Sequence, residues 1–137
     1  MARHNEKGRE GEHSLVEMLN DITLQFGYEW YRTPSPERNK KTRYGDVNLI
    51  PKKGNEKCVL EDFLFDAQKS DTLTPVAKLK KLMDELPLSG RSHAVYYGKE
   101  TSGSGKPNFE MIAMPVKTFK NLIVYLQGYV QEEAKGD

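Results

Sequence analysis

Two aspartates stand inside stretches that otherwise read as buried β-strand. They are Asp46 in Gly45-Asp46-Val47-Asn48-Leu49-Ile50 and Asp66 in Phe63-Leu64-Phe65-Asp66-Ala67-Gln68-Lys69-Ser70. Burying a carboxylate with no positive partner costs several kcal/mol. A fold that accepts both must therefore bring positive charge to two neighbouring strand ends. One divalent cation neutralises two carboxylates together, and Mg²⁺ favours one or two carboxylates completed by water and phosphate oxygens. With basic residues on both sides, the pattern points to metal-dependent chemistry on a phosphodiester. Strand-end salt bridges are the plain alternative for either aspartate taken singly.

The chain has 137 residues, enough for a single domain with one core under two layers of structure. Its one cysteine, Cys58, excludes an internal disulfide and a thiolate metal cluster. No apolar run is long enough for a bilayer and the first residues are polar rather than signal-like, so the expectation is a cytoplasmic protein (the host cell interior if phage-encoded) with no membrane partner. Net charge is only +1, but its distribution is uneven. Arg3, Lys7 and Arg9 precede or open the first helix, and Arg32, Arg38, Lys40, Lys41 and Arg43 crowd one loop, while Glu132, Glu133 and Asp137 gather in the tail. Such segregation can hide a phosphate-binding surface within a neutral total, with a merely solvated face as the bland reading.

Hydrophobic periodicity predicts an αβββαββα order. Leu15, Val16, Met18, Leu19, Ile22 and Phe26 recur at helical spacing from about Gly8, and Gly27 supplies a stop. Tyr28 to Arg32 reads as a first strand, residues 33–44 as a basic, proline-broken loop, and Asp46 to Ile50 as a second strand. A third strand lies between Lys57 and Lys69. Thr74-Pro75 opens a second helix with the stripe Val76, Leu79, Leu82, Met83 and Leu86, ended by Pro87. Ser92 to Tyr97 and Phe109 to Met114 read as an antiparallel pair joined by the Gly/Ser loop 101–107. Pro115 opens a last helix whose Phe119, Leu122, Ile123, Leu126 and Val130 should face the core, before a frayed tail at 131–137. The fold class expected is α/β: a central mixed β-sheet flanked by helices.

A third carboxylate joins the two aspartates. Leu15, Val16 and Leu19 lie three, four and seven residues after Glu12, so a regular helix turns Glu12 toward the buried stripe. A first-turn glutamate favoured by the helix dipole is the bland reading. Strand alternation places Asp66 and Gln68 on one face and Phe65, Ala67 and Lys69 on the other. Lys69 reaches the Asp66 side only if a bulge shifts the register.

With these residues in view, the chain resembles the archaeal-type Holliday-junction resolvases of the P-D-(D/E)-x-K nuclease superfamily. Lys7-Gly8-Arg9-Glu10-Gly11-Glu12 is similar to that family's K-G-R-x-x-E, and Arg32-Thr33-Pro34-Ser35 to its R-x-P-x-S, although serine here follows proline directly. Gly45-Asp46-Val47 matches the family's strand-start aspartate, and Phe65-Asp66-Ala67-Gln68-Lys69-Ser70 is similar to I-E-x-K-S. Two departures stand out: Asp66 replaces the usual glutamate, and Gln68 occupies the lysine's place, with Lys69 available to supply the charge.

The resemblance implies a restriction-endonuclease-like fold and a Mg²⁺-dependent endonuclease, with Mn²⁺ substituting. It also implies a homodimer whose two sites each cut one strand of a branched, four-way DNA, as in DNA recombination and DNA repair. The expected catalytic residues are Glu12, Asp46, Asp66, Gln68 and Lys69. Asp46, Asp66 and the Ala67 carbonyl would hold metal, helped by Glu12, and Gln68 would orient the nucleophile. Lys7, Arg9, Arg32, Ser35, Arg38, Lys40, Lys41 and Arg43 would contact the DNA backbone. No nucleotide cofactor is expected. Rival readings are another nuclease of the superfamily acting on duplex or ends, and a module that binds DNA structure without cutting.

Overall fold

Phe63-Leu64-Phe65 is an uninterrupted apolar run, which suits a strand buried on both faces. The computed structural model describes residues 2–34, 45–50, 59–101 and 109–136, with side chains from 9 to 135. Its elements are α1 (Ala2–Thr23), β1 (Glu29–Arg32), β2 (Val47–Ile50), β3 (Phe63–Ser70), α2 (Pro75–Ser89), β4 (His93–Glu100), β5 (Glu110–Ala113) and α3 (Val116–Gly136). Short 3₁₀ turns at Leu24–Phe26 and Val59–Asp62 extend α1 and lead into β3. The order is the αβββαββα expected, and the class is α/β.

The sheet is built in two pieces. β3 and β4 run parallel in register from Phe63↔His93 to Ser70↔Glu100, and β5 adds antiparallel to β4. β1 and β2 form a separate antiparallel pair, Arg32 opposite Val47. The Asp46 N–H joins the pieces by donating to the Phe65 carbonyl at 3.0 Å.

Side-chain alternation along β3 feeds two cores. Phe63 and Phe65 pack with Leu15, Trp30, Val47, Val95 and Tyr97 toward α1, the Trp30 and Phe65 rings meeting edge to face at 5.4 Å. Leu64 packs with Leu82 and Ala94 toward α2, flanked by Leu79 and Leu86. Asp66 and Gln68 therefore belong to the α2 face, while Ala67 and Lys69 belong to the α1 face.

The helices depart from expectation in three ways. On α2, Leu82 is buried with Leu79 and Leu86 beside it, but Val76 and Met83 are exposed, because Leu64 and Ala94 oppose only a narrow stripe. That helix also passes through Pro87 and closes at Ser89, whose hydroxyl donates to the Leu86 carbonyl at 2.7 Å. A proline near a helix end forfeits one backbone hydrogen bond without ending the helix. On α3, Leu122 packs against the core, whereas Phe119, Ile123, Leu126 and Val130 are exposed, and helix continues through the expected tail to Gly136. The loop 33–44 from residue 35 and the Gly/Ser loop from residue 102 lie outside the described residues.

The narrow α2 stripe makes a direct prediction. Leu82→Ala should cost about 2–5 kcal/mol of stability, as buried leucine truncations do, while Met83→Ala on the same helix should change it by less than about 0.5 kcal/mol. Urea unfolding midpoints of the two variants separate these outcomes, and similar losses at both positions would contradict the packing described.

Candidate active site

Gly45 delivers Asp46 to the edge of β3. Its φ of +76° is a left-handed conformation, and a Cβ there would lie 2.8 Å from both the Phe65 carbonyl oxygen and the Leu64 side chain. Only glycine lets the chain come this close. The Thr33 N–H donates to the Asp46 carbonyl at 2.9 Å, and the Asn48 amide donates to the Thr33 hydroxyl at 2.7 Å, so the turn is braced from within. Arg91 reaches across to the same strands, donating to the Phe63 carbonyl and to the Asn48 side chain.

The Asp46 carboxylate then does what the next residue of a ladder would do. Its Oδ2 accepts the Ala67 N–H at 2.7 Å, in line with the Asp46 N–H to Phe65 bond. A residue's N–H and C=O leave a strand toward the same side, so the Ala67 carbonyl also opens on this edge. Burial pushes the Asp46 carboxyl well above its ordinary pKa, reinforced by the charge of Asp66 and by a hydrogen bond with it. The Ala67 N–H opposes this rise, and Glu12 adds a smaller repulsion. Beside a second carboxylate Asp46 carries its own charge at a cost, and a proton or a cation on it relieves that cost.

Glu12 approaches from the α1 side and is 4% exposed, as its helical phase predicts. Arg32 holds it: Nη2 lies 2.7 Å and Nε 2.8 Å from the same Glu12 oxygen. Arg32, expected on DNA phosphate, is thus engaged with Glu12. Asp66 leaves β3 on the opposite face. The three carboxylates consequently line an edge and do not converge on one point, and among the described residues no three His, Cys, Asp or Glu form a ready-made cation cage. Asp46, Asp66 and the Ala67 carbonyl remain a hard-oxygen set that fits Mg²⁺ or Mn²⁺ completed by water. Glu12, already neutralised by Arg32, fits a supporting role better than that of a ligand.

Gln68 sits on the Asp66 face with no bulge in β3, as alternation predicts. Its side chain is clamped. Oε1 accepts the Thr74 N–H at 3.0 Å and the Tyr96 hydroxyl at 2.5 Å, while Nε2 donates to the Thr74 hydroxyl at 3.1 Å. These contacts leave one Nε2 proton uncommitted. Gly98 makes the Tyr96 reach possible, since a Cβ there would lie 2.6 Å from the phenol oxygen. Burial and the Asp66 charge raise the Tyr96 pKa, which keeps the phenol protonated and donating. Thr74 thus spends its hydroxyl on Gln68 and makes no side-chain cap for α2, contrary to expectation.

Lys69 points to the α1 face, with Nζ 3.0 Å from Glu10. Glu10 is more than half exposed, and pairs of this kind contribute little, about 0–1 kcal/mol, so Lys69 can exchange Glu10 for another anion. Arg9 is exposed on α1; the Lys7 side chain, Ser35, Arg38, Lys40, Lys41 and Arg43 lie outside the described residues. Sequence reasoning missed Tyr96, Thr74 and Glu10 as partners of the site. Only the short spacing from Gln68 to Thr74 carried any signal. Comparison with protein-family models, characterised proteins and solved structures finds no match to this chain.

A stability prediction follows from the sign of the Asp46 shift. Its folded-state pKa lies above the ordinary 3.8, so between 3.8 and the raised value the folded chain keeps a proton that the unfolded chain has lost. Stability therefore falls as pH rises through that window and stays lower above it. Asp46→Asn removes the charge yet keeps an acceptor for Ala67. It should melt higher than the parent near neutral pH, with the advantage shrinking as pH approaches 3.8. Millimolar Mg²⁺ should raise the melting temperature of the parent and leave that of Asp46→Asn unchanged. A variant less stable than the parent at neutral pH would contradict the carboxyl contact.

Proposed function

We propose that this chain is a metal-dependent endonuclease acting on branched DNA, with four-way junctions as the preferred substrate and a homodimer as the working form. The observation that carries the reading is the Asp46–Asp66 contact at a strand edge beside the Ala67 carbonyl, a hard-oxygen set in which burial and Asp66 disfavour the Asp46 charge. A divalent cation held there would supply charge neutralisation for a phosphate and lower the pKa of a water. The chain's own residues do the rest. Asp46 spans the edge and positions the Ala67 carbonyl; Tyr96 and Thr74 fix Gln68, whose remaining Nε2 proton is free to donate to a phosphate oxygen or to water. Lys69, loosely paired with Glu10, offers a positive charge from the other face. Resemblance to the junction resolvases, in the order and spacing of the motifs around Glu12, Arg32, Asp46 and Asp66, supplies the choice of substrate and the two-fold plan.

A second reading has its own observation. The position beside Asp66 on that face is held by a neutral amide clamped by Thr74 and Tyr96 rather than by a lysine, which also suits a module that binds DNA structure without cutting.

Purified protein incubated with four-way junction, duplex and single strand, in Mg²⁺ or chelator, separates these readings. Paired cuts in the junction that require Mg²⁺ are expected, with Asp46→Asn binding the junction but not cutting it. Equal cutting of duplex would move the assignment to another nuclease type, and tight binding without cutting to the binding module. Gln68→Ala should lower cleavage by about 100-fold, as losing a preorganised donor does, and by much more than Lys69→Ala. The reverse ranking would mean that the α1 face carries the chemistry.

A further inference from the structure

β4 begins beneath the last helix, and the two elements leave a cleft of about 450 Å³ between them. Its walls are Ser92 and His93 from the strand start and Lys117, Asn121, Val124 and Tyr125 from α3. The helix residues recur three and four apart, so they form one side of α3. Lys117 and Asn121 stand there where a helix packed on its sheet would place apolar groups. This side therefore lines space rather than filling it, and the volume is that of a small-molecule site.

His93 shows what the space can receive. The residue is only 5% exposed, and its ring rests against Phe63 with centroids 5.5 Å apart. Among the described residues its side chain makes no hydrogen bond. An imidazole carries two polar nitrogens, and burying them unpaired is unfavourable. The cleft is the side from which they can be met. The side chains of Ser92, Lys117, Asn121 and Tyr125 are likewise without a hydrogen-bonding or ionic partner among the described residues. All five groups can donate, Lys117 adds positive charge, and no carboxylate lines this wall. A phosphate group, whose oxygens accept from several donors at once, matches it best.

The cleft continues into a second one. Val124 and Tyr125 also line the neighbouring space of about 520 Å³, together with Val59 and Tyr129, and Glu132 stands at its far end. The polar end at Lys117 thus passes into an aromatic end at Tyr125, roughly 12 Å along the helix axis. A ligand that uses both ends joins an anion to a flat apolar group.

We infer that this double cleft binds a nucleotide-like phosphomonoester, with the phosphate on Lys117, His93, Ser92 and Asn121 and the base against Tyr125. His93 lies three register positions before Tyr96, the residue opposite Asp66, and on the other face of the sheet. The cleft is therefore separate from the carboxylate edge, and the inference does not rest on the nuclease reading.

NMR titration of the full chain in chelator, with adenosine monophosphate, adenosine and inorganic phosphate as probes, tests it. Adenosine monophosphate should bind with a Kd below about 1 mM, shifting the His93 ring resonances and sparing those of the exposed His13. Inorganic phosphate and adenosine should each bind about tenfold more weakly. Lys117→Glu should raise the Kd for the nucleotide and for phosphate alike by about tenfold or more. Tyr125→Ala should weaken the nucleotide about tenfold and leave phosphate unchanged, because only the base reaches that ring. Both substitutions lie at exposed positions, where the fold tolerates them. Unshifted His93 resonances at about 10 mM nucleotide, or a nucleotide affinity untouched by Lys117→Glu, would overturn the site. A Tyr125→Ala variant that binds the nucleotide as tightly as the parent would overturn the place given to the base.

Discussion

Asp46 holds β2 to β3 with two hydrogen bonds of different kinds, and the rest of the site depends on both. Its backbone N–H reaches the Phe65 carbonyl, and its side chain reaches the Ala67 N–H two residues on. The second bond uses a charged group where a ladder would use a neutral carbonyl. That substitution puts a side chain where the strand pairing would continue, on the edge toward which the Ala67 carbonyl also points. It also drives a carboxylate into protein against Asp66, where its charge is poorly tolerated. A purely structural strand end would gain nothing from that arrangement, since asparagine could make the Ala67 contact without repulsion. The site carries an electrostatic penalty of the kind that, on the proposed reading, a hard divalent cation would relieve.

The flanking groups divide by face. On the α2 side, Tyr96, Gln68 and Thr74 form a neutral hydrogen-bonded clamp that ties the end of β3 to the start of α2. On the α1 side, Glu12–Arg32 is a half-buried, tight ion pair and Lys69–Glu10 a more exposed, loose one. A chain in which lysine replaced Gln68 would put its charge beside Asp66 and lose the Thr74 contacts. Here the charge sits one residue later, through the sheet plane, and the amide serves as a fixed support. Among the described residues, the two halves of the site meet through β3 and Asp46.

Much of this was legible in the sequence because it is local. Phe63-Leu64-Phe65 announces a strand covered on both faces, the spacing from Glu12 to Leu15 and Leu19 announces a buried carboxylate, and alternation alone assigns Gln68 to the Asp66 face. What was not legible rests on contacts distant in sequence. Arg32 meets Glu12 across 20 residues, and Tyr96 meets Gln68 across 28, so neither pairing leaves a trace in any local pattern. Periodicity also cannot say what an apolar stripe faces. Leu82 and Ile123 read alike as core positions, yet one is buried against Leu64 and Ala94 and the other is exposed.

The central claim is that the Asp46 carboxyl, set against Asp66, holds its proton until a cation replaces it. Carbonyl-carbon NMR of the aspartate side chains, assigned with Asp46→Asn and titrated with and without Mg²⁺, measures it directly. The account predicts that Asp46 titrates well above 3.8 in the metal-free protein and that saturating Mg²⁺ drives its titration down, releasing a proton as the ion binds. An Asp46 resonance that titrates in the ordinary carboxylate range and ignores Mg²⁺ would contradict it.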